Sequence, residues 1–538
     1  MTAKPFAKAA CAVLALAVLT SCSVLAPAQS APPGGSPAPD YGAVSATPRP
    51  SSPPEAAGGG FSLRYNPNAS MNPISSTDPV NAQLSSLLFE GLFALNPDFT
   101  ARPVLCESFE TADGVKYDFR LLPDVAMTNG STLDAYDAVY SIEQARKSAR
   151  YSKRLAEITG VSRSGALEFS VTLKVPNYLF PALLDFAVVK YGYDGSVPPG
   201  TGPYWYDASG SSPKLTAFSR HRNADELQIP GFGLAVCSDS ELGEYFTRQD
   251  ITFFGADPNG SLATEIRRDH EARFYGTTNL QYVGFGLRTP VMLDARFRRA
   301  VALAVNREKI VSEYLGGHAK EAWTPFSPGS VWFDEAWVTK PTEDARILIS
   351  RLLSDIGMED SDADSWLEYP DASGFSAFAL TMLVSGENNA RVAAARSIAD
   401  TLTMLGIDVA LVELPFADFT QRLASGDFDL YYAETKIPAD FDFSALLSPG
   451  EPLDFGGAAT YELAELNAAF LGADSDFARR GAAAALAAAV RDSAPFVPVA
   501  YTEHALYSPR NLLRDAAPTP SGLYVQISGW RRADAVDT

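Results

Sequence analysis

The stretch Gln281–Gly317, QYVGFGLRTPVMLDARFRRAVALAVNREKIVSEYLGG, predicts a strand followed by two helices. Its first seven residues are rich in β-forming side chains and precede a Thr-Pro pair, which favours a buried strand. Asp294 can accept hydrogen bonds from the free N–H groups of a helix on which Phe297 and Val301 recur at helical spacing. Asn306 can cap a second helix, which the final Gly-Gly pair ends. This order of elements is typical of an α/β protein.

The length and composition indicate a large globular protein. At 538 residues the chain exceeds the size at which a single hydrophobic core keeps growing, so two or three domains are expected. The composition, 46% hydrophobic and 20% charged, is that of a folded protein. The formal net charge of −21 argues against nucleic acid and anionic lipid surfaces as partners.

The sequence lacks the motifs of the common hydrolases. It contains no G-x-S-x-G, no H-E-x-x-H and no cluster of Cys and His residues. Its four histidines, His221, His270, His318 and His504, are widely separated, and each is predicted to lie on the surface. An enzyme is therefore not expected, and neither a cofactor nor a metal centre is predicted.

The N-terminus has the pattern of a bacterial lipoprotein signal. Lys4 and Lys8 precede an apolar run, Ala9–Leu19, that is shorter than the roughly 20 residues needed to span a bilayer. The run ends in L-T-S-C, which resembles the lipobox, so we expect a signal peptide at residues 1–21 and a lipid on Cys22. A plain secretory signal with an unrelated cysteine is the alternative. Residues 22–60 are dominated by Pro, Ala, Gly and Ser, which predicts a solvated tether.

Two cysteines remain in the mature chain once Cys11 is removed with the signal and Cys22 is lipidated. Outside the cytoplasm, Cys106 and Cys237 can pair. The sequence alone cannot place their Cα atoms within bonding distance. A disulfide and two buried thiols both stay open.

Ordered segments outside the central stretch carry a resemblance to one family. They are S-S-T-D-P at residues 75–79 with F-E-G-L at 89–92, N-G-S-T-L-D-A-Y-D-A-V-Y-S at 129–141, G-T-G-P-Y at 200–204 and D-F-D-L-Y-Y at 427–432. Together with the central D-A-R-F-R-R-A-V-A-L-A-V-N-R-E-K-I-V at 294–311, they resemble the family 5 extracellular solute-binding proteins, the peptide and nickel receptors of ABC importers. The resemblance extends from about Arg64 to Tyr507, which is most of the mature chain.

The resemblance implies an α/β protein with the two-lobed architecture of the type II periplasmic binding proteins. It implies mixed sheets, a hinge between the lobes and an extra subdomain in the first lobe at about residues 100–195. We expect the first lobe at residues 61–285, the second at 286–495 and a return to the first at 496–538. The strand–helix–strand alternation of residues 343–432 favours an α/β second lobe independently.

The resemblance also implies a function at a membrane. A monomeric lipoprotein at the outer face of the bacterial cytoplasmic membrane would capture an oligopeptide or a related small solute between its lobes. Closure about the hinge would then present the ligand to the transmembrane subunits of an ABC permease. Two further functions stay open within the family: a nickel-chelate binding protein and a receptor for a signalling peptide that is not imported.

Candidate ligand-binding residues follow from the same resemblance. The turn at residues 75–79 lies on the ligand cleft in relatives, although Asp78 is equally suited to cap the following helix. The G-T-G-P-Y turn lies near the ligand in relatives, and the loop at 323–329 precedes the cleft. The candidates are Ser76, Thr77, Asp78, Tyr204, Trp205, Trp323, Tyr432, Glu434, Thr435, Lys436 and Asp440.

One segment departs from the family pattern. Relatives that bind peptides follow the strand at 429–432 with a tryptophan and an aspartate that takes the ligand's amino group, whereas residues 433–442 are A-E-T-K-I-P-A-D-F-D. Glu434 or Asp440 could still pair with an ammonium group. Alternatively, Lys436 could neutralise that acid or face an anionic ligand. The departure leaves the fold intact and the ligand open.

Overall fold

The computed structural model describes residues 60–533 except 194, 261, 263–265, 342–343 and 373. The predicted signal peptide, Cys22 and all but the last residue of the predicted tether lie outside the described residues. Within the described part of the chain, no helix combines the length and the apolar character that a bilayer crossing requires.

The strands are numbered in chain order. They are β1 (Ser62–Arg64), β2 (Phe93–Leu95), β3 (Ala101–Pro103), β4 (Cys106–Glu110), β5 (Lys116–Leu121), β6 (Ile158–Arg163), β7 (Glu168–Leu173), β8 (Tyr204–Asp207), β9 (Lys214–Ala217), β10 (Gly231–Ala235), β11 (Phe254–Ala256), β12 (His270–Phe285), β13 (Ala319–Glu321), β14 (Tyr369–Asp371), β15 (Gly374–Ser376), β16 (Leu380–Ser385), β17 (Val409–Leu414), β18 (Leu430–Lys436), β19 (Phe496–Pro509), β20 (Leu513–Arg514) and β21 (Arg531–Arg532).

The helices are numbered in the same way. They are α1 (Pro79–Gln83), α2 (Ser85–Leu88), α3 (Ala135–Ala145), α4 (Leu242–Arg248), α5 (Pro290–Leu293), α6 (Ala295–Ala304), α7 (Arg307–Lys309), α8 (Ala345–Asp355), α9 (Asn389–Thr403), α10 (Phe416–Ser425), α11 (Ser444–Leu447), α12 (Tyr461–Leu471) and α13 (Asp476–Ser493). Ile310–Tyr314 forms a π-helical turn after α7, and Phe180–Leu184 forms a 3-10 helix.

Lobe I contains two four-stranded sheets that share one hydrophobic core. One is the antiparallel sheet β4-β5-β7-β6, against which α3 packs. The mixed sheet β1-β10-β9-β8 lies beside it. Leu513, Tyr524 and Trp530 pack into the same core, so the C-terminal residues return to lobe I.

A mixed seven-stranded sheet links lobe I to lobe II. Its main path is β11-β19-β12-β18-β16-β17, with β13 paired to β19. In lobe II the strands β16 and β18 are parallel, and α6, α8 and α9 supply buried side chains to the core on one face. The remaining helices of lobe II, α10 to α13, contribute to a second core on the other face. These features establish the two-lobed α/β fold with mixed sheets.

The strands β12 and β19 run through both lobes. Near Ala272 and Tyr507 they pack on a small core with α4, whereas Val283 and Val497 belong to the core of lobe II. Their pairing register shifts between Gly276 and Leu280 and again at Gln281 and Tyr282. Since such irregularities bend strands and weaken the ladder locally, this pair of strands is suited to act as the hinge.

The local signals in the central stretch are confirmed. The carboxylate of Asp294 accepts from the N–H of Arg296 at 2.8 Å and caps α6. Asn306 accepts from the N–H of Lys309 at 3.0 Å and caps α7, and Gly316 and Gly317 end this helical segment with φ of 57° and 79°. The second helix is not α-helical throughout as expected. Its three α-helical residues are followed by a π-helical turn.

The two cysteines of the folded body are separate buried thiols. Cys106 packs in the main core of lobe I, and Cys237 packs in the small core beside β11. Burial raises the pKa of Cys106 to about 12 and that of Cys237 to about 11. Both thiols are therefore protonated and unreactive at neutral pH.

Candidate functional site

The two lobes meet where the end of β18 approaches residues 177–186 of lobe I, here called the facing loop. The side-chain amide of Asn177 donates to the carboxylate of Asp440 at 2.8 Å. The N–H of Tyr178 donates to the carbonyl oxygen of Leu471 at 2.9 Å. Ala182 of lobe I and Ala439 of lobe II pack together in a small apolar cluster. The space around the junction is the candidate cleft.

The turn before α1 belongs to lobe I and is held by hydrogen bonds of its own side chains. Asp78 caps α1, because one carboxylate oxygen accepts from the N–H of Asn81 at 2.7 Å. Its other oxygen accepts from the side chain of Asn66 at 2.8 Å. Ser76 accepts from the N–H of Asp78 at 3.3 Å, whereas the side chain of Thr77 is exposed. Asp78 therefore shapes the turn, and the side chain of Thr77 stays exposed to solvent.

Tyr204 and Trp205 occupy opposite faces of β8. Tyr204 is fully buried, and its hydroxyl donates to the carbonyl oxygen of Ile229 at 2.8 Å. Trp205 is 37% exposed. Tyr204 is thus part of the core of lobe I with its polar atom already satisfied.

Trp323 covers a buried arginine. The guanidinium of Arg307 lies over its ring at 4.2 Å from the centroid, and its indole N–H donates to Glu321 at 2.7 Å. Burial lowers the pKa of Arg307 to about 10, and its N–H groups bond to the carbonyl oxygens of Ala322 and Pro498. The tryptophan and arginine together fix the loop that follows β13.

Three candidates on β18 are held by neighbouring side chains. Tyr432 is buried and donates to the side-chain oxygen of Gln281 at 2.7 Å, and Thr435 is buried between strands. The carboxylate of Glu434 forms an ion pair with Arg391 at 2.9 Å and accepts from Gln281 at 3.0 Å. Because Arg391 neutralises it, Glu434 is not an uncompensated acceptor for a ligand's ammonium group.

Asp440 is a buried carboxyl at the lobe junction. It is 2% exposed, and besides the bond from Asn177 it accepts from the N–H of Asp442 at 3.3 Å. Burial and the nearby charge of Asp442 raise its pKa to about 7. With a pKa near 7 this carboxyl is about half protonated at pH 7, and its bond from Asn177 of the opposite lobe makes it a contact between the lobes.

Lys436 is the exposed cation at the end of β18. It alternates with the buried residues Thr435 and Ile437, so its side chain projects from the opposite face of the strand. Within the described part of the chain its ammonium group has no hydrogen-bond or ion-pair partner. The Lys436 side chain is exposed to water, yet desolvation by the surrounding protein lowers its pKa. The charges within range are Asp185, Arg154 and Arg150 of lobe I.

The lobe I wall opposite Lys436 is basic and aromatic. Arg154 pairs with Asp185 and donates to the carbonyl oxygen of Leu183 at 2.6 Å, which attaches it to the facing loop. Arg150 is exposed, and its guanidinium lies 5.3 Å from the centroid of the Tyr151 ring. The hydroxyl of Tyr151 lies 3.5 Å from the carbonyl oxygen of Pro73, which connects this wall to the turn before α1.

Sequence reasoning missed these wall residues, although one signal was present. Residues 145–154, A-R-K-S-A-R-Y-S-K-R, concentrate positive charge in a strongly acidic chain. Arg391 and Asn177 carried no comparable signal, because each becomes a site residue only through its contact with β18 or with the loop after it.

The expectation that all four histidines lie on the surface is wrong for His221, whose side chain is buried, and the other three are half-buried. The side chain of His221 is buried, with its ring nitrogen 3.5 Å from Glu90, which also pairs with Arg222. His504 lies half-buried on β19 within range of Glu434 and Lys436, and burial lowers its pKa. Both positions come from strand and loop packing between segments distant in sequence, which spacing along the chain does not reveal.

One cluster of candidate metal ligands lies away from the cleft. Among the described residues, one group of carboxylates is close enough to share a cation: oxygens of Asp360, Asp362, Asp364 and Glu368 lie within 4.8 Å of one another. Three of the four side chains are exposed, and they occupy the loop between α8 and β14. A cavity of about 770 Å³ on lobe II is lined by Tyr314, Arg396 and neighbouring residues and is likewise separate from the cleft.

A family model matches the chain over residues 100–448, which is more than half of its length. Its description is "Bacterial extracellular solute-binding proteins, family 5 Middle". Among curated relatives, Protein XP55 of Streptomyces lividans is 26% identical over 292 residues, covering 51% of this chain and 53% of that protein. The glutathione-binding protein GsiB of Escherichia coli (strain K12) is 21% identical over 289 residues, covering 50% and 56%. The chain thus spans about half the length of these relatives.

Solved structures resemble the fold over nearly their whole length. The oligopeptide-binding protein AppA of Bacillus subtilis, in complex with a nonapeptide, has a TM-score of 0.62 at 20% identity, covering 88% of this chain and 99% of that one. NikZ of Campylobacter jejuni, in complex with Ni(L-His), has a TM-score of 0.65 at 18% identity with the same coverage. At these identities the likeness establishes the type II binding-protein fold.

Proposed function

Because the chain belongs to family 5 of the bacterial extracellular solute-binding proteins, we propose that it is the substrate-binding protein of an ABC importer. It captures an oligopeptide or a related small solute between lobes I and II and delivers it to the permease subunits in the membrane. The observation that carries the proposal is the junction at the end of β18, where exposed Lys436 faces the basic wall of lobe I. The paired strands β12 and β19 supply the hinge that such capture requires.

The test is native mass spectrometry of the chain purified from residue 23 onward, which keeps the entire described fold. Adducts with the masses of short peptides, lost when the protein is denatured, are the expected result. A protein that remains bare after incubation with a peptide hydrolysate, and whose melting temperature the hydrolysate does not raise, contradicts peptide capture. A bound ligand present at 100 times its Kd stabilises the fold by about 2.7 kcal/mol, so the melting shift is readily measured.

A nickel chelate is the second candidate ligand. His504 supports it, because its lowered pKa keeps the imidazole neutral and able to bind a metal, and Lys436 beside it suits an anionic chelator. The same mass spectra discriminate the two, since a nickel-containing adduct carries the isotope pattern of the metal. His504→Ala removes that adduct while peptide adducts persist.

The protein is further proposed to be a monomer anchored to the outer face of the cytoplasmic membrane through a lipid on Cys22. The L-T-S-C sequence and the tether after it support this location. Cys22→Ser is expected to move the protein from the membrane fraction to the soluble extracytoplasmic fraction and to remove the lipid mass. Membrane retention of this variant contradicts the lipid anchor.

A further inference from the structure

The cleft concentrates positive charge that the protein itself does not neutralise. Two of its carboxylates already form ion pairs with arginine side chains: Glu434 pairs with Arg391, and Asp185 pairs with Arg154. Asp440 accepts a hydrogen bond from Asn177 in the junction. By contrast, neither Lys436 nor Arg150 has an ion-pair partner among the described residues. In a chain with 64 acidic and 43 basic side chains, this excess of cations is the reverse of the overall balance.

The two cations belong to different lobes. Lys436 ends β18 of lobe II, and Arg150 follows α3 of lobe I. The contacts of Ala439 with Ala182 and of Asp440 with Asn177 hold these walls side by side. Closing the hinge therefore brings like charges together across the cleft, which opposes closure unless an anion lies between them.

We propose that Lys436 and Arg150 form a clamp for a carboxylate of the ligand, and that this carboxylate permits the lobes to close. The carboxylate accepts charge-assisted hydrogen bonds from an ammonium group on one lobe and a guanidinium on the other. The clamp rests on the proposed function and names its substrate class: peptides or small solutes recognised through an anionic end. Recognition of a ligand's ammonium group is correspondingly weak, because Glu434 already pairs with Arg391 and Asp440 already bonds to Asn177.

The experiment compares three portions of one casein hydrolysate by native mass spectrometry with the chain from residue 23 onward. One portion is untreated, one has its amines acetylated and one has its carboxylates methyl-esterified. Adducts from the untreated and acetylated portions, but not from the esterified one, are expected. Equal adducts from the esterified portion overturn the clamp and leave peptide capture standing. No adducts from any portion overturn peptide capture, and the clamp with it.

Variants assign the effect to the two residues. Lys436→Gln and Arg150→Gln are each expected to weaken binding of an identified free-acid peptide roughly 10- to 100-fold, the range for loss of one charged hydrogen bond. Lys147→Gln is the matched control, because Lys147 is exposed in the same basic segment but is not among the charges in range of Lys436. Lys436→Glu should reverse the preference and favour the esterified portion. Unchanged affinity in Lys436→Gln and Arg150→Gln overturns the clamp.

An amidated peptide distinguishes the two sources of the carboxylate. If the chain terminus enters the clamp, trialanine binds and trialanine amide does not. If an acidic side chain enters it, an amidated peptide that contains glutamate binds, and its affinity falls in Lys436→Gln. Either outcome supports the clamp, whereas tight binding of trialanine amide contradicts it.

Discussion

Asp440 couples protonation to the contact between the lobes. Its carboxyl is buried against Asn177 where the two lobes meet, and its pKa there is raised to about 7. Opening exposes the carboxyl to water and returns its pKa toward about 4. Closure therefore takes up a proton between these values, so the closed state loses stability as pH rises from about 4 and the loss is complete above about 7.

The ligand-free protein is accordingly expected to open as the pH rises from 5 to 8. Small-angle scattering should record a larger radius of gyration at pH 8. Asp440→Asn, which cannot ionise, should lose most of this pH response. Asp225→Asn, at an exposed position of lobe I, serves as the control and should behave as the wild type. A full pH response in Asp440→Asn contradicts the assignment to this carboxyl.

Arg307 is the buried charge that fixes the central stretch. Its guanidinium donates to the carbonyl oxygens of Ala322 and Pro498 at 2.8 Å and stacks on Trp323. Arg307→Met leaves these buried carbonyl groups without donors, which should cost about 3 kcal/mol or more of unfolding free energy. Urea denaturation measures the loss, and Arg299→Met on the exposed face of α6 should stay within about 0.5 kcal/mol of the wild type.

The sequence predicted the site only where a candidate residue and the groups that determine its role lie in one short segment. The β18 segment and its departure from the family pattern at Lys436 could be recognised in this way. The partners that decide what the candidates do were not: Arg391 lies 43 residues from Glu434, and Asn177 lies 263 residues from Asp440. A pairing over such separations is set by tertiary packing, which local patterns do not encode.

At the scale of the elements, the G-T-G-P-Y turn is a packing device. A Cβ on Gly202 would lie 2.3 Å from the backbone carbon of Leu88, and one on Gly200 would lie 2.3 Å from the Leu88 carbonyl oxygen. The glycines thus allow β8 and its turn to approach the end of α2. This role explains the turn without any contact to a ligand.

Gly202→Ala is therefore expected to lower the unfolding free energy by more than about 2 kcal/mol, because the backbone of α2 would have to shift. The measurement is urea denaturation with and without a bound peptide. Gly210→Ala is the control, since its nearest neighbour would lie at an ordinary 3.7 Å. A Gly202→Ala protein of normal stability but lowered ligand affinity would instead place the turn in the binding site.

The fold itself was largely predictable from element-scale signals. The caps at Asp294 and Asn306 depend on side chains within a few residues of the helix N–H groups that they bind, so they can be predicted from the sequence. The sequence did not reveal how long β12 is. Its β-forming residues continue from one hydrophobic core into the next, and only the packing on either side shows that one strand serves both lobes.

At the scale of the whole molecule, the lobes are joined beside the cleft by single hydrogen bonds and by apolar contacts, among them the buried ring of Phe99 of lobe I, which lies 5.6 Å from the ring of Phe441. The bond between Asn177 and Asp440, the bond from Tyr178 to Leu471 and the small apolar contact of Ala439 are each modest. A hydrogen bond contributes about 1 kcal/mol net, which is a factor of about five in an open–closed equilibrium. Such a balance is readily shifted by a ligand that bridges the two walls.

Asn177→Asp tests this balance. The new carboxylate can still accept from the N–H of Leu179, as the Asn177 oxygen does at 2.9 Å, but it opposes Asp440 across the junction. Like charges at this distance should drive the ligand-free protein open and raise its radius of gyration at pH 8. Saturating peptide should restore the compact form at a higher apparent Kd, because the binding-competent closed state is rarer. Asn68→Ala, exposed on lobe I, is the control. An unchanged radius in Asn177→Asp would mean that other contacts set the closure, and that the hinge strands rather than the junction determine the equilibrium.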